Sequence, residues 1–255
     1  MRTASIIIPT LGRSSSLRDC LESLWAQDNQ DYEIIKVTEV GNLAALRNQG
    51  ARRANGDYLV FIDDDVECSR EWLSSIMEVF SSSESIAGVS GPAIITKDYR
   101  NNRAIFSHKF FKWLYDLVFC FGRAHLPGHI TQAGAWTTGA SNENCQYEGP
   151  VHFLEACNMA FRRSWFEKVG GFDESYGGIG DWSEPDICYR IRSLGGTLKF
   201  VPAVRLYHRP SKSGAYSRRR EQSAIRLQNY LLFSKRWVEP SFHHLLYKLF
   251  LRIYY

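Results

Sequence analysis

The chain has 255 residues, 44% hydrophobic and 23% charged, a globular balance with room for one full core; disordered, collagenous and coiled-coil chains are excluded. Its 31 Lys+Arg against 27 Asp+Glu leave a formal charge of +4, too slight for a dedicated nucleic-acid binder. The six cysteines (Cys20, Cys68, Cys120, Cys145, Cys157, Cys188) are scattered with no C-x-x-C pair, which argues against a zinc ribbon or a disulfide-stapled secreted domain and for reduced thiols in a cytosolic protein.

Residues 4–8 are a short β-branched run closed by Pro9, suited to a buried parallel strand. The run is too short for a signal peptide, and no small-residue cleavage site follows. Leu17, Cys20, Leu21, Leu24 and Trp25 recur at helical spacing behind three serines that suit capping. Residues 32–40, with Ile34, Ile35 and Val37, predict a second strand. Residues 43–54 predict a helix, stopped by Asn55-Gly56-Asp57. Tyr58-Leu59-Val60-Phe61-Ile62 is a third buried strand that runs straight into Asp63-Asp64-Asp65, and residues 71–80 read as another helix. This order predicts an α/β fold with a doubly wound, mostly parallel central sheet and flanking helices. Ligands bind outside the carboxyl ends of such strands. Pro9-Thr10, Glu39 and the aspartate triplet then share one rim. Neither G-x-G-x-x-G nor G-x-x-x-x-G-K-[ST] is present.

The middle is less regular. Residues 89–95 suggest a strand, 98–102 a turn, 110–121 an aromatic segment broken by Lys112 and Asp116, and 122–150 loops with short strands. Helices are predicted at 163–169 and 184–194, with turns at Gly170-Gly171 and Gly195-Gly196, and a strand at 197–201. No stretch reaches ~18 uninterrupted apolar residues, so no spanning helix is predicted. Near the C-terminus Phe242, Leu245, Leu246, Leu249, Phe250 and Ile253 fall on one helical arc, with Lys248 and Arg252 towards the other side. Such a helix either packs on the domain or lies on an anionic lipid surface.

Three clusters carry chemistry. Alternation on an extended chain puts Asp63 and Asp65 on one side and Asp64 on the other. Each carboxylate pair at ~5 Å and an effective dielectric of ~20 costs on the order of 3 kcal/mol. A hard divalent cation would remove that cost and could hold a diphosphate through its remaining positions; a solvated acidic turn is the plainer alternative. The second cluster is Trp182-Ser183-Glu184-Pro185-Asp186, where Pro185 and two acids suit a helix start. Glu184 there could serve as general base, with Trp182 as an apolar wall. The third is Tyr207-His208-Arg209, followed by Lys212, Arg218, Arg219 and Arg220. The stretch Ser211-Lys212-Ser213-Gly214 suggests a mobile loop able to close over an anion.

Taken together these residues resemble glycosyltransferase family 2, the inverting enzymes of GT-A fold, over roughly residues 3–210. The shared pieces are Ser5-Ile6-Ile7-Ile8-Pro9-Thr10, Arg47-Asn48-x-Gly50-Ala51, the run from Gly56 to Asp65, Ala156-Cys157-Asn158-Met159-Ala160-Phe161-Arg162-Arg163, Val169-Gly170-Gly171-Phe172-Asp173-Glu174, the Glu184 segment and His208. The resemblance implies a GT-A domain over 1–210, with 1–97 taking a nucleotide sugar and 98–210 the acceptor, and a loop with a helical extension over 211–255. It implies donor contacts from Pro9, Thr10, Glu39, Arg47, Asp63 and Asp64, and a divalent metal, Mn²⁺ or Mg²⁺, on Asp65, Asp63 and His208. Glu184 matches the catalytic base, a Glu where the family often carries Asp. Trp182, Asn158 and Trp136, with the segment 153–159 and the aromatic insertion, would form the acceptor pocket. The acceptor would be a glycan, a polysaccharide or a lipid-linked sugar, with peripheral membrane contact through the C-terminal helix and no nucleic-acid partner. A sugar-phosphate nucleotidyltransferase is the main rival. It usually opens with a Gly-rich loop bearing Arg and Lys, of which Leu11-Gly12-Arg13 is a poor version. A non-catalytic carbohydrate- or lipid-binding module on the same scaffold is disfavoured by the intact acids at 63–65 and 184.

Overall fold

The computed structural model describes residues 3–12, 14–95, 109–141, 143–210 and 221–255. Three apolar runs start the main sheet as strands β1 (Ala4–Pro9), β2 (Tyr32–Val37) and β3 (Tyr58–Ile62). β1 lies between the other two, parallel to both, because helices α1 (Ser14–Trp25) and α2 (Leu43–Arg53) carry the chain back between them. Every residue of β3 is buried. Leu59 and Phe61 enter one core and Tyr58, Val60 and Ile62 the other, so covered faces on both sides require an unbroken apolar run.

After β3 come β4 (Val66–Cys68), α3 (Trp72–Ser82), β5 (Ile86–Ser90) and β6 (Ala93–Ile95). Next are α4 (Lys109–Tyr115), continued by a π-helical turn over Asp116–Cys120, then β7 (Gly149–Pro150), β8 (Asn158–Arg162) and α5 (Arg163–Lys168). The chain ends with α6 (Ser183–Ser193), β9 (Thr197–Phe200), β10 (Leu206–His208), α7 (Ser223–Trp237) and α8 (Phe242–Tyr254). The main sheet has the order β2-β1-β3-β8-β5-β9-β7. Five of these strands share a direction, but β8 runs antiparallel to both its neighbours and β7 to β9. The sheet is mixed but mostly parallel, as expected, with β5 and β9 forming a second parallel pair beyond β8.

A second sheet, β4-β10-β6, sits at the carboxyl end of β3. The single strand expected at 89–95 is in fact split between the two sheets. Gly91 lies at the break, where a Cβ would come 1.9 Å from the Val204 carbonyl oxygen, so no side chain fits. The basic run at Lys212 and Arg218–Arg220, the Ser211–Gly214 loop, the turn at 98–102 and the boundary at 97/98 lie outside the described residues.

The C-terminal helix does not bury its expected apolar arc: only Leu246 and Phe250 of that arc pack partly against the core. Ser241 caps the helix by accepting from the His244 N–H. His244, Tyr247 and Leu251 form the buried face, whereas Phe242, Leu245, Leu249 and Ile253 are exposed. The aromatic insertion packs on this helix, through Phe119 against Tyr247 and Phe250 at 5.1 and 5.3 Å; it does not reach the cavity described below, contrary to its expected acceptor role. No helix among the described residues is long and apolar enough to cross a membrane. All six cysteines are free and buried.

The loop segments also fix a pH dependence. His152 Nδ1 sits 3.1 Å from the Ile130 N–H, and its ring meets His129 and Tyr189. Burial, then Arg192 and His129, lower its pKa to about 4. Its folded value lies below the ordinary 6.5, so the unfolded chain binds the extra proton between those limits, and stability falls as pH falls through that window. The loss attributable to this ring is at most about 3 kcal/mol. His152→Gln keeps an acceptor for Ile130 and should flatten the decline of Tm between those pH limits.

Candidate active site

The two sheets bring together residues far apart in the chain. β1 ends at Pro9, half-buried at the rim, and Thr10 follows with its N–H bonded to the Val37 carbonyl at 2.9 Å. Thr10 Oγ1 donates to Asp64 Oδ2 at 2.5 Å and accepts from the Gly12 N–H at 3.0 Å. Asp64 thus braces the turn after β1. Asp63 and Asp65 converge instead on His208; the chain at 64–65 is a turn and not the extended strand expected, so the turn and not strand alternation sets this arrangement. Glu39, two residues past the end of β2, is exposed and paired with Arg53 on the outer rim.

The antiparallel pairing of β10 with β4 sets His208 opposite Val66, beside Asp65. The Arg209 N–H then donates to the Asp65 carbonyl at 2.8 Å, and His208 Nε2 lies 3.1 Å from Asp65 Oδ1. One ligand atom from each of Asp63, Asp65 and His208 falls within 4.8 Å of the others. Burial and then Asp65 push the Asp63 carboxyl pKa up, while His208 and Arg47 pull it down. Burial disfavours the His208 imidazolium, yet Cys157 and Asp65 beside it hold its pKa well above the ordinary value. The Cys20 thiol, behind the triplet, is pushed up to about 12 by burial and the three carboxylates. The negative charge here is therefore incompletely neutralised by the protein, and two carboxylates with one imidazole suit a divalent cation.

Arg47 connects this cluster to Glu184. It projects from the middle of α2 and is fully buried. Its Nη1 donates to Glu184 Oε1 at 2.5 Å, its Nη2 donates to the Ala156 carbonyl at 2.9 Å, and Nη2 lies 4.0 Å from Asp63 Oδ1. Glu184 stands in the first turn of α6, where the helix N-terminus favours negative charge. Burial raises its pKa, and Arg47 draws it part of the way back. Glu184 also lines a cavity of about 180 Å³, with Trp136, Thr137, Phe153, Glu155 and Asp181.

Two expected acceptor residues have other places. Asn158 is a core brace: its Oδ1 accepts from Trp72 Nε1 at 2.9 Å, and its Nδ2 donates to the Val204 and Pro92 carbonyls. Those carbonyls precede β10 and β6, so Asn158 ties β8 to the sheet that carries His208. Trp182 is also core, not wall. It is 2% exposed, stacked on Trp136 at 4.7 Å and backed by Tyr230 and Phe233. Trp136 alone of the pair faces the cavity. Sequence reading missed Asp181 and Thr137, whereas Glu155 falls in the segment 153–159 expected at the acceptor pocket. Asp181 is held by an ion pair with buried Arg226 of α7, while Asn229 of the same helix bonds both the N–H and the carbonyl of Gly177. The glycines at 177, 178 and 180 were a turn signal for this loop, but α7 left no chemical motif to follow.

The model of the family described as Glycosyl transferase family 2 matches residues 36–170. Human polypeptide N-acetylgalactosaminyltransferase 15 is 22% identical over 243 residues, covering 95% of this chain and 36% of its own. Escherichia coli chondroitin synthase is 23% identical over 238 residues, covering 80% of this chain and 34% of its own. The chain thus spans about a third of the length of these curated relatives. Among solved structures, GalNAc-T7 with UDP, GalNAc and Mn²⁺ gives a TM-score of 0.64 at 14% identity, over 93% of this chain and 48% of that one. The mannosyltransferase PcManGT from Pyrobaculum calidifontis, in complex with GDP-Man and Mn²⁺, gives 0.59 at 16% identity, over 100% of this chain and 70% of that one. At these identities the structural likeness is one of fold.

Proposed function

This chain belongs to glycosyl transferase family 2, with the GT-A fold, and from that premise we propose that it transfers a sugar from a nucleoside-diphosphate donor to an acceptor hydroxyl by single displacement, with inversion. The observation that carries this reading is the span of Arg47, which meets Glu184 through one nitrogen and approaches Asp63 through the other. A cluster suited to a donor diphosphate and a carboxylate suited to deprotonation therefore share one site, with a cavity beside the carboxylate.

Asp63, Asp65 and His208 would hold a divalent cation, Mn²⁺ or Mg²⁺. When bound it would offset the charge growing on the departing nucleoside diphosphate. Thr10, braced against Asp64, and the Pro9 and Glu39 rim would receive the nucleoside. The acceptor hydroxyl gives its proton to Glu184 as its oxygen bonds the anomeric carbon, and the bond from that carbon to the diphosphate breaks. Trp136, Phe153 and Leu154 line the cavity with apolar surface and limit the entry of water, which would otherwise hydrolyse the donor.

Incubation with a panel of nucleotide sugars, Mn²⁺ and candidate acceptors tests the reading. Acceptor-dependent release of a nucleoside diphosphate is expected; pyrophosphate exchange in its place would mark a nucleotidyltransferase, and binding without turnover a non-catalytic module. Asp65→Asn supplies a check independent of activity. It preserves shape and an acceptor for His208 but removes a charge from a crowded cluster. Mn²⁺ at about a hundredfold above Kd should stabilise the unsubstituted chain by about 2–3 kcal/mol. In Asp65→Asn that Mn²⁺-dependent rise in Tm should vanish, with the metal-free Tm unchanged or higher.

A further inference from the structure

We propose that α8 and α4 together form a docking face for an anionic lipid surface, holding the chain peripherally on a membrane. The inference stands on surface chemistry and does not depend on the transfer reaction. α8 is apolar on two sides. Its inner side is the buried His244, Tyr247 and Leu251; its outer side carries Phe242, Leu245, Leu249 and Ile253 at 70, 66, 53 and 80% exposure. Spacings of three, four and four residues set these outer side chains along one face. A helix that served only to pack on the domain would carry polar residues there.

α4 extends the surface. It and its π-helical turn run antiparallel to α8: Phe121 meets His243 at 5.0 Å, Phe119 meets Tyr247 at 5.1 Å, and Tyr115 meets Phe250 at 5.8 Å. With those rings turned to α8, Phe110, Trp113 and Leu117 are left 61, 57 and 52% exposed. Large apolar side chains exposed in this number mark an interaction surface.

Charge decides the occupant. Neither α4 nor α8 contains an acidic residue, and Asp116, which opens the π-helical turn, is engaged by the Ala124 N–H at 2.9 Å. Lys109 and Lys112 are exposed on α4, and Arg252 is exposed on α8 one turn from half-buried Lys248. A second copy meeting this face about a two-fold axis would set these cations against their own equivalents, which disfavours self-association. An anionic headgroup layer pairs with them, the boundary below it takes Phe242, Leu245, Leu249 and Ile253, and Trp113 suits the interface itself. The 13-residue α8 is about 20 Å long, which fits a helix lying in the headgroup plane. It rests on α7 through Tyr247 and Tyr230, and Tyr230 meets Trp182 behind the cavity wall. The docking face is thus built on the helices that back the candidate acceptor site.

Cosedimentation with phosphatidylglycerol–phosphatidylcholine vesicles tests this, with pure phosphatidylcholine as the neutral control. The chain is expected to pellet with the anionic vesicles, to release as salt is raised to about 0.5 M, and to leave the neutral vesicles largely unbound. Leu245→Ser with Leu249→Ser should weaken binding by at least about tenfold with Tm unchanged, because both side chains are exposed. Lys248→Glu with Arg252→Glu should weaken it by at least about tenfold as well; it removes no apolar side chain, so it gives the same reading should the serine pair disturb the fold. The proposal is overturned if the chain stays in the supernatant, if binding survives both paired variants, or if light scattering finds a dimer that either pair returns to monomer.

Discussion

Glu184→Gln should lower transfer by about three orders of magnitude while leaving nucleoside-diphosphate affinity within about twofold. Glutamine keeps the size of the side chain and an oxygen to accept from Arg47, so the bond that fixes the start of α6 against α2 survives. It cannot accept a proton. The carboxylate it replaces has two opposing influences on its basicity, burial raising its pKa and Arg47 lowering it. A base whose pKa burial raises takes a hydroxyl proton more readily than an exposed one. The acid limb of kcat/KM should therefore report this group, and the residual activity of Glu184→Gln should lack that limb. Two other carboxylates line the same cavity. Asp181 is held in an ion pair with buried Arg226; Glu155 is half-buried. If Glu184→Gln retained full turnover and Glu155→Gln lost it, the base would be reassigned to Glu155. The isotherm for a nucleoside diphosphate with Mn²⁺ separates either result from a loss of donor binding.

How far the sequence predicted this site depends on whether the signal was local. β1 and β3 were legible because both faces are buried, and the aspartate triplet was legible because it follows the third strand without a break. Helices α1 and α2 follow from apolar spacing and turn chemistry. β8 was not legible: Asn158 and Arg162 at its ends are polar in type yet buried, and its insertion between β3 and β5 is a tertiary choice. The second sheet was hidden for a different reason. Its strands are three residues each, too short for periodicity to register. His208 could therefore be placed at the site only by resemblance, whereas its pairing opposite Val66 gives the physical cause. Asn158 and Trp182 were misplaced because a residue type that suits a pocket also suits a core. The amide of Asn158 is spent on Trp72 and two carbonyls, and the indole of Trp182 lies under Trp136. For α8, periodicity identified an apolar arc correctly but could not say which side met the protein, since both sides are apolar.

The Arg47–Glu184 pair, 137 residues apart in sequence, leads to the largest expected effect on stability. Arg47→Met should destabilise the chain by about 3 kcal/mol at neutral pH, or roughly 6–12 °C in Tm. Methionine fills part of the space, but Glu184 is left buried without its counter-charge and the Ala156 carbonyl loses a donor. Removal of one partner costs more than the pair is worth, because the survivor keeps its desolvation penalty. The effect also has a sign with pH. In Arg47→Met the Glu184 pKa rises further above its unfolded value, so the folded state binds the extra proton. The stability this supplies is present below the ordinary carboxylate pKa and is lost as pH rises through the folded value. The variant's deficit should accordingly shrink towards pH 4–5 and be greatest above neutrality. Arg47→Met combined with Glu184→Gln removes the buried charge altogether and should recover most of the loss, giving a coupling energy on the order of 2 kcal/mol in a double-mutant cycle. Denaturant melts of the four proteins at pH 5 and pH 8 measure both quantities. Additive losses with no dependence on pH would mean that Arg47 supports the fold through packing against Phe172, whose ring lies 5.5 Å from its guanidinium, and not by balancing the carboxylate at the site.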